Sequence, residues 1–206
     1  MTKEEKVKLI KETCDLKNDI FLLLQKLEAK TGIEIGVRLG GNLKGLSMNN
    51  FFSKGKLVGM DCWQEVPGKP EVNDKAFSQA QLDQQFAGCV DRFKAYPWIE
   101  IIRDFSVEGS KRFEDGFFDF VYLDAAHDYE SVVDDLAAWW PKVKSGGILS
   151  GHDYFPDNRV WRGKEVGVWK AVNEFAEANN VEVCHMTTEN EIEPGRGCPS
   201  FFIVKD

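Results

Sequence analysis

Short apolar runs alternate with longer amphipathic segments along most of this chain, and that alternation restricts the possible folds more than any other feature. Five runs predict buried strands: Ile33–Val37, Leu57–Met60, Trp98–Ile102, Phe118–Leu123 and Ile148–Ser150. The segments between them predict helices: Asn42–Phe52, Ser78–Ala95, Ser106–Phe113 and Ser131–Val143. Strands that alternate with helices form parallel sheets with helices on both faces, so the sequence predicts an α/β fold.

The two ends of the chain depart from this alternation. Apolar residues at helical spacing predict helices within residues 1–31, and Gly32 is expected to end them. Near the C-terminus, a predicted helix at Gly167–Ala178 precedes two apolar runs, Val181–Met186 and Ser200–Val204. Because no helix separates these two runs, the final strand is expected to run antiparallel to the others.

The length and regularity of the chain predict a single domain. Its 206 residues are enough to bury a substantial core, and no repeat or low-complexity linker divides residues 1–206. The least regular stretch, Cys62–Asp83, holds Pro67, Gly68 and Pro70 soon after the second predicted strand. This concentration of turn-forming residues predicts a loop or lid inserted at the carboxyl edge of the sheet.

Composition argues against several classes of protein. The 34 acidic and 26 basic residues give a net charge of −8, which repels a phosphate backbone, so no nucleic-acid partner is expected. No stretch approaches the roughly 18 apolar residues of a membrane span, and the N-terminus does not read as a secretory signal. The five cysteines show no C-x-x-C spacing and are predicted to be reduced thiols. We therefore expect a cytoplasmic protein with no membrane partner, for which a homo-oligomer is possible.

A glycine-rich turn follows the first predicted strand, and acidic residues lie on either side of it. Gly36 and Gly40 lack a Cβ, so the chain can turn tightly and a ligand can approach the backbone. Asp61 follows the second predicted strand, where a carboxylate can accept hydrogen bonds from both ribose hydroxyls of a nucleotide. A glycine-rich turn alone is also compatible with a purely structural role, but together with Glu34 and Asp61 it predicts a nucleoside-containing ligand.

The spacing of the glycines distinguishes between cofactors. A dinucleotide site requires G-x-G-x-x-G, which places pyrophosphate at a helix N-terminus, whereas Glu34–Gly41 reads E-x-G-x-x-x-G-G. This pattern resembles the first motif of class I methyltransferases that use S-adenosylmethionine (SAM). The resemblance implies a Rossmann-like, doubly wound, mostly parallel seven-stranded sheet with an antiparallel last strand and helices on both faces. It also implies that Asp104 and Ser106 contact adenine, although Ser106 could instead cap the helix that follows.

Acidic and histidine side chains follow the fourth and fifth predicted strands. Asp124 comes directly after the fourth strand, with His127 three residues later, and His152 and Asp153 follow the fifth. The carboxyl ends of parallel strands line the ligand crevice of an open α/β sheet, so we expect these four side chains to converge. Asp124 could instead cap the next turn, and His127 could bond a backbone carbonyl.

The residues around these two strand ends carry a more specific resemblance. The blocks Phe118–Glu130 and Gly146–Tyr154, with Trp139-Trp140-Pro141 between them, resemble a family of small methyltransferases that includes macrocin-type sugar O-methyltransferases. In the metal-dependent relatives, an acid after strand four and an acidic pair after strand five hold a divalent cation. A base on the loop after strand four deprotonates the acceptor hydroxyl.

Carried over to this sequence, the resemblance implies catalytic residues at His127, as the base, and Asp124, and metal positions at Asp124, His152 and Asp153. His152 stands where the relatives usually offer a second carboxylate. Magnesium prefers oxygen ligands, whereas imidazole suits manganese, iron, zinc or nickel. Three alternatives therefore remain for a site that would take magnesium or manganese. The bound cation is not strictly magnesium, His152 only orients the site, or no metal binds. The implied cofactor-binding positions are Glu34, Gly36, Gly40, Asp61, Asp104, Ser106 and Asp124.

The activity expected from these features is SAM-dependent O-methylation of a small-molecule hydroxyl, and a sugar-like acceptor fits the resemblance. A nicotinamide-dependent oxidoreductase on a similar fold is an alternative that the glycine spacing disfavours. A non-catalytic module that binds SAM or a nucleotide is a second alternative. The clustered acids and histidines disfavour it.

Overall fold

A computed structural model of the protein describes residues 1–14, 19–47, 51–65, 77–155, 160–161, 164–185 and 199–206. The helices in these ranges are α1 (Lys3–Thr13), α2 (Asp19–Lys26), α3 (Gly41–Ser47), α4 (Gln79–Phe93), α5 (Ser106–Ser110), α6 (Tyr129–Trp139) and α7 (Val168–Asn179), with a 3-10 helix at Phe51–Lys54. The strands are β1 (Thr31–Ile35), β2 (Lys56–Asp61), β3 (Ile99–Arg103), β4 (Phe118–Leu123), β5 (Val143–Gly151), β6 (Val160–Trp161), β7 (Lys164–Glu165), β8 (Val183–His185) and β9 (Phe201–Val204).

Seven of these strands form one sheet in the order β3-β2-β1-β4-β5-β9-β8. The pairs from β3 across to β5 are parallel, while β9 is antiparallel to both β5 and β8. The order of the strands reverses between β1 and β4, and open α/β sheets bind ligands at such a switch point, outside the carboxyl ends of the strands. The predicted fold class is confirmed, including the antiparallel last strand.

Apolar side chains pack on both faces of the sheet, as a doubly wound fold requires. Along β4, Phe120 and Tyr122 join the buried cluster that includes residues of α1 to α4, whereas Val121 and Leu123 join the cluster that includes residues of α6 and α7. Successive side chains of a strand point to opposite faces of the sheet. Burial on both faces therefore explains why the strands read as nearly continuous apolar runs.

The prediction that Gly32 ends the N-terminal helices is wrong. The second helix ends at Lys26, Glu28 takes a left-handed φ of 51°, and Gly32 is the second residue of β1. A Cβ at Gly32 would lie 2.7 Å from a ring carbon of Phe52. Glycine inside a strand can mark a close approach rather than a break, and here that approach is an aromatic ring.

The fifth strand is nine residues long rather than three, and the helix before it is correspondingly shorter than predicted. Phe118 pairs with Val143 and Phe120 pairs with Ile148, so β5 carries extra residues opposite β4. Gly146 lies in this irregular stretch with a φ of 73°. A bulge accommodates extra residues within a continuous strand, and for that reason Gly146 and Gly147 lie inside β5 rather than in the connection before it.

Several other predicted boundaries are also corrected. The first strand is Thr31–Ile35, so Gly36 already belongs to the turn. α5 stops at Ser110 and α3 stops at Ser47, each before its predicted end, and residues 48–50 lie outside the described residues. The ribbon of β6 and β7 is not predicted, because strands of two residues leave no periodic pattern. Met186, the predicted end of the penultimate strand, lies outside the described residues.

The predicted insertion Cys62–Asp83 is described only at its two ends, since residues 66–76 lie outside the described residues. Its last part is helical because α4 begins at Gln79. Two hydrogen bonds join Glu65 to Gln79 across these two ends. The N–H of Glu65 donates to Oε1 of Gln79 at 3.1 Å, and the N–H of Gln79 donates to Oε1 of Glu65 at 2.6 Å. The lid itself stays a prediction.

The described cysteines, Cys14, Cys62, Cys89 and Cys184, are all reduced, as predicted. Burial raises the pKa of both Cys89 and Cys184 to about 11, so neither forms a thiolate readily at neutral pH. Cys198 lies outside the described residues. No described helix is both long enough and apolar enough to cross a membrane.

Candidate active site

Gly36 joins the glycine-rich turn to the end of β4. Its N–H donates to the carbonyl of Met60 at 2.8 Å, and the N–H of Asp124 donates to the carbonyl of Ile35 at 2.8 Å. Gly36 has a φ of 93°, and a Cβ there would lie 1.9 Å from the carbonyl oxygen of Asp124. The need for glycine therefore arises from close packing of the protein backbone, and it places the turn directly against a predicted catalytic residue.

The Asp61 carboxylate lies beneath the glycine-rich turn and accepts two backbone hydrogen bonds. The N–H of Arg38 donates to Oδ2 at 2.8 Å, and the N–H of Trp63 donates to Oδ1 at 3.0 Å. Burial raises the pKa of this carboxyl, and the two hydrogen bonds oppose that rise. Each carboxylate oxygen has two lone pairs, so acceptor capacity remains for the ribose hydroxyls that the sequence predicts as its ligands.

Two further predicted cofactor positions lie on either side of this turn. Gly40 has a φ of 74°, and a Cβ there would lie 2.7 Å from the ring of Phe93 in α4. Glu34 lies within β1, opposite Gly59 and Tyr122 of the neighbouring strands, and is only 1% exposed. Acidic side chains are rarely buried to this extent. A cofactor contact at Glu34 stays a prediction.

Asp104 and Ser106, which follow β3, form hydrogen bonds with different partners. Oδ2 of Asp104 accepts hydrogen bonds from Nε and Nη2 of Arg112, both at 2.7 Å. The Ser106 hydroxyl donates to the buried carboxylate of Asp135 and accepts from the indole N–H of Trp139 at 2.9 Å. Ser106 does not cap α5, because the capping residue is Phe105. Adenine contacts at Asp104 and Ser106 stay predictions.

The four side chains that follow β4 and β5 converge, as expected. Nε2 of His127 lies 3.6 Å from Oδ1 of Asp124 and 3.3 Å from Oδ2 of Asp153. Nδ1 of His152 lies 3.5 Å from Oδ1 of Asp124 and 3.1 Å from Oδ1 of Asp153. These side chains remain between 14% and 34% exposed, so an acceptor could reach them. We call these four residues the acid–histidine cluster.

Backbone contacts and backbone conformation position the residues of the acid–histidine cluster. The N–H of His152 donates to the carbonyl of Leu123 at 2.9 Å, which joins the ends of β5 and β4. Asp153 has a φ of 56°, and a non-glycine residue in this region costs about 1–3 kcal/mol. The carbonyl of His127 accepts a hydrogen bond from the N–H of Gly167 at 2.8 Å. Strained residues of this kind are concentrated at functional sites.

Asp135 is a candidate functional residue that the sequence does not reveal. It lies on α6, is 6% exposed, and lines the same small cavity as His127 and His152. Its pKa is raised to about 7, mainly by burial. The hydrogen bond from the Ser106 hydroxyl and the charge of His127 act against the rise, whereas the nearby carboxylates of Asp134 and Asp128 add to it. The available signal was its position three residues after Val132, on the apolar face of the predicted helix.

The donors of the acid–histidine cluster fit a divalent cation. Among the described residues, Asp124, His127 and His152 can each offer one ligand atom, and these atoms lie within 4.8 Å of one another. Two imidazoles and a carboxylate suit manganese, iron or zinc better than magnesium. Two of these three residues, Asp124 and His152, are metal positions predicted from the sequence. The third is His127 rather than the predicted Asp153. The Asp153 carboxylate contacts both imidazoles and can orient them.

The fold and the site together define a class I methyltransferase, and the comparisons with known proteins agree. A family described as "Methyltransferase domain" matches residues 33–154, which span the turn, the Asp61 region and the acid–histidine cluster. This chain belongs to that methyltransferase family. No functionally curated sequence matches it.

Solved structures of methyltransferases share the fold at low sequence identity. An O-methyltransferase from Bacillus cereus in complex with SAH is 15% identical, with a TM-score of 0.63 over 100% of this chain and 82% of that one. A SAM-dependent methyltransferase from Aquifex aeolicus is 15% identical, with a TM-score of 0.59 over 100% of both chains. The N-methyltransferase NodS from Bradyrhizobium japonicum is 13% identical, with a TM-score of 0.58 over 98% of this chain and 96% of that one. Because this fold carries both O- and N-methyltransferases, the acceptor must be argued from the site.

Proposed function

We propose that this protein transfers a methyl group from SAM to a hydroxyl of a small molecule, and that the acid–histidine cluster binds and deprotonates that hydroxyl. The observation that carries the proposal is the contact between Gly36 and the backbone of Asp124. It places the turn that would hold the cofactor beside the cluster that would hold the acceptor. A sugar-like acceptor fits the resemblance seen in the sequence.

The residues around the turn supply the groups that SAM binding requires. SAM brings an electrophilic methyl group on a sulfonium, joined to an adenosine. The Asp61 carboxylate, oriented by two backbone N–H groups, would accept hydrogen bonds from the ribose hydroxyls. Glu34 lies in β1, Asp104 directly follows β3 and Ser106 begins α5, and these three residues complete the proposed cofactor side of the site.

His127 is the proposed general base. In its neutral form the imidazole would accept the proton of the acceptor hydroxyl. The carboxylates of Asp124 and Asp153, at 3.6 Å and 3.3 Å from Nε2, would stabilise the imidazolium that results. Holding the hydroxyl close to the methyl group supplies a further part of the rate enhancement, since correct positioning can contribute about 7–11 kcal/mol in favourable cases.

We also propose that Asp124 and His152 hold a divalent cation in the acid–histidine cluster. Both residues are among the metal positions predicted from the sequence, and both offer ligand atoms within 4.8 Å of each other in the structure. A bound cation would supply Lewis acidity to the acceptor oxygen. Calorimetric titration of the purified, chelator-treated protein with MnCl₂ and with MgCl₂ tests the site directly. We expect Mn²⁺ to bind more tightly than Mg²⁺, and His152→Ala to remove that preference. Absence of binding of either ion would leave the histidines and carboxylates as a metal-free acid–base site.

Transfer of isotope from methyl-labelled SAM to a panel of sugars, phenols, carboxylic acids and amines tests the activity itself. We expect label in a hydroxyl-bearing acceptor. His127→Ala should lose most of the transfer, while His185→Ala serves as a matched control, because that histidine lies on β8 beside Tyr154, outside the cluster. Binding of SAM without transfer to any acceptor class would instead support a non-catalytic SAM-binding module.

A further inference from the structure

Trp63, two residues after Asp61, has hydrogen bonds at each of its polar groups. Its backbone N–H donates to Oδ1 of Asp61 at 3.0 Å, and its indole N–H donates to the carbonyl of Arg38 at 2.9 Å. Its carbonyl accepts from Nη2 of Arg103 at 2.6 Å and from Nε2 of Gln79 at 3.0 Å. One residue thus connects the glycine-rich turn, β2, the end of β3 and the start of α4.

The backbone on both sides of the Asp61 carboxylate is strained. Arg38 has a φ of 51° and Trp63 has a φ of 39°, and both lie in the region that favours glycine. These two residues also supply the two N–H groups that hold the Asp61 oxygens. Such conformations persist only where the surrounding structure enforces them. The indole hydrogen bond from Trp63 to the Arg38 carbonyl is a contact that can do so for both residues at once.

We propose that Trp63 is a positioning residue for the ribose-binding carboxylate of Asp61. The indole fixes the peptide group of Arg38, and the N–H groups of Arg38 and Trp63 then hold the carboxylate in one orientation. A carboxylate that is oriented before the ligand arrives binds more tightly, because no ordering cost is incurred on binding. The inference rests on the proposed use of SAM and adds a residue that acts through the Asp61 carboxylate.

A purely structural role is the competing explanation, and it makes different predictions. Trp63 is 1% exposed and packs against Phe86 with ring centroids 5.1 Å apart, so its loss would also reduce stability. A structural residue would lower the unfolding midpoint without acting through Asp61. A positioning residue would lower cofactor affinity only while the Asp61 carboxylate is present.

The first test is Trp63→Phe, which keeps an aromatic ring and the backbone N–H but removes the indole donor. Calorimetry of the full chain with SAH should show binding weakened by about 3- to 10-fold, the scale of one lost hydrogen bond. Trp98→Phe is the matched control, because the buried indole N–H of Trp98 has no hydrogen-bond acceptor among the described residues. We expect Trp98→Phe to bind SAH as the wild type does.

The decisive measurement is a double-mutant cycle with Asp61→Asn. If Trp63 acts through the carboxylate, Trp63→Phe should cause little further loss of SAH affinity in the Asp61→Asn background. Equal losses in both backgrounds, or wild-type affinity in Trp63→Phe, would overturn the inference. If Trp63→Phe does not fold, 3-benzothienylalanine incorporated at position 63 keeps the shape of tryptophan without its N–H, and the same outcomes apply. A wild-type protein that does not bind SAH would refute the cofactor proposal itself, which a failure confined to Trp63→Phe would not do.

Discussion

Asp135→Asn should make the free energy of unfolding less sensitive to rising pH. Asp135 is 6% exposed, and its pKa of about 7 in the folded state lies far above the ordinary value of 3.8. Between about pH 4 and pH 7 the folded protein therefore keeps a proton that the unfolded chain has released. Stability falls as pH rises through this window, because ionising the buried carboxyl costs free energy that the solvated carboxyl of the unfolded chain does not pay.

The size of the effect follows from the difference between the two pKa values. A pKa that rises from 3.8 to about 7 corresponds to roughly 4 kcal/mol, since one pKa unit equals about 1.36 kcal/mol. Asparagine is neutral at every pH, and its amide oxygen can still accept the hydrogen bond that the Ser106 hydroxyl donates. The free energy of unfolding of Asp135→Asn, relative to the wild type, should therefore increase by roughly 4 kcal/mol between pH 4 and pH 8.

Urea unfolding followed by circular dichroism from pH 4 to pH 8 measures this difference. Asp91→Asn is the matched control, because it removes the same charge from an exposed position of α4, away from Asp135, and should change the pH dependence little. The charge of His127 lowers the pKa of Asp135, so the series is best repeated in His127→Ala, where the window should extend to higher pH. A difference between Asp135→Asn and wild type that is the same at every pH would refute the reasoning.

Three further predictions concern the cofactor turn and the cluster. Asp61→Ala should weaken SAH binding by about 1–3 kcal/mol in calorimetry, the scale of lost charge-assisted hydrogen bonds, and unchanged affinity would remove Asp61 from the ribose role. His127→Ala should lower turnover by about 10²–10⁴-fold and remove an ionisation from the pH–rate profile, so an unaltered profile would contradict its role as the base. Gly36→Ala should reduce the thermal midpoint strongly, because its Cβ would meet the Asp124 carbonyl at 1.9 Å, whereas Gly88→Ala in α4, with open space around it, should not.

The order of the helices and strands could be predicted because apolar and amphipathic segments alternate along most of the chain. Predictions at glycines fail where tertiary contacts override local residue preferences. Gly32 and Gly146 both resemble breaks, yet one accommodates the Phe52 ring inside β1 and the other lies in a bulge of β5. At Gly32 the partner that requires glycine is distant in sequence, whereas at Gly146 the left-handed φ of 73° within the bulge requires it.

The acid–histidine cluster could be predicted for a different reason. In a parallel sheet the topology alone brings the ends of β4 and β5 together, so residues placed after those strands must be close. No such rule reveals Asp135 or Trp63. Asp135 is a polar residue on an apolar helix face. The importance of Trp63 depends on two acceptors, at Asp61 and Arg38, and on two donors, at Arg103 and Gln79, that lie in other parts of the fold. Candidate residues that act through hydrogen bonds between distant elements need a structure to be recognised.

The contact between Gly36 and Asp124 explains how this site can vary its chemistry while keeping its geometry. The turn and the end of β4 are joined through backbone atoms: the N–H of Asp124 donates to the Ile35 carbonyl, and Gly36 packs against the Asp124 carbonyl. In-line methyl transfer depends on the distance and angle between the cofactor and the acceptor, and these backbone contacts would hold the proposed cofactor turn and the proposed acceptor side in a fixed relation. The side chains of the cluster are then free to differ without disturbing the alignment. If the proposed site is correct, a histidine at position 152 in place of a carboxylate should change the preference for the proposed cation and the proposed proton transfer rather than the position of the reacting groups.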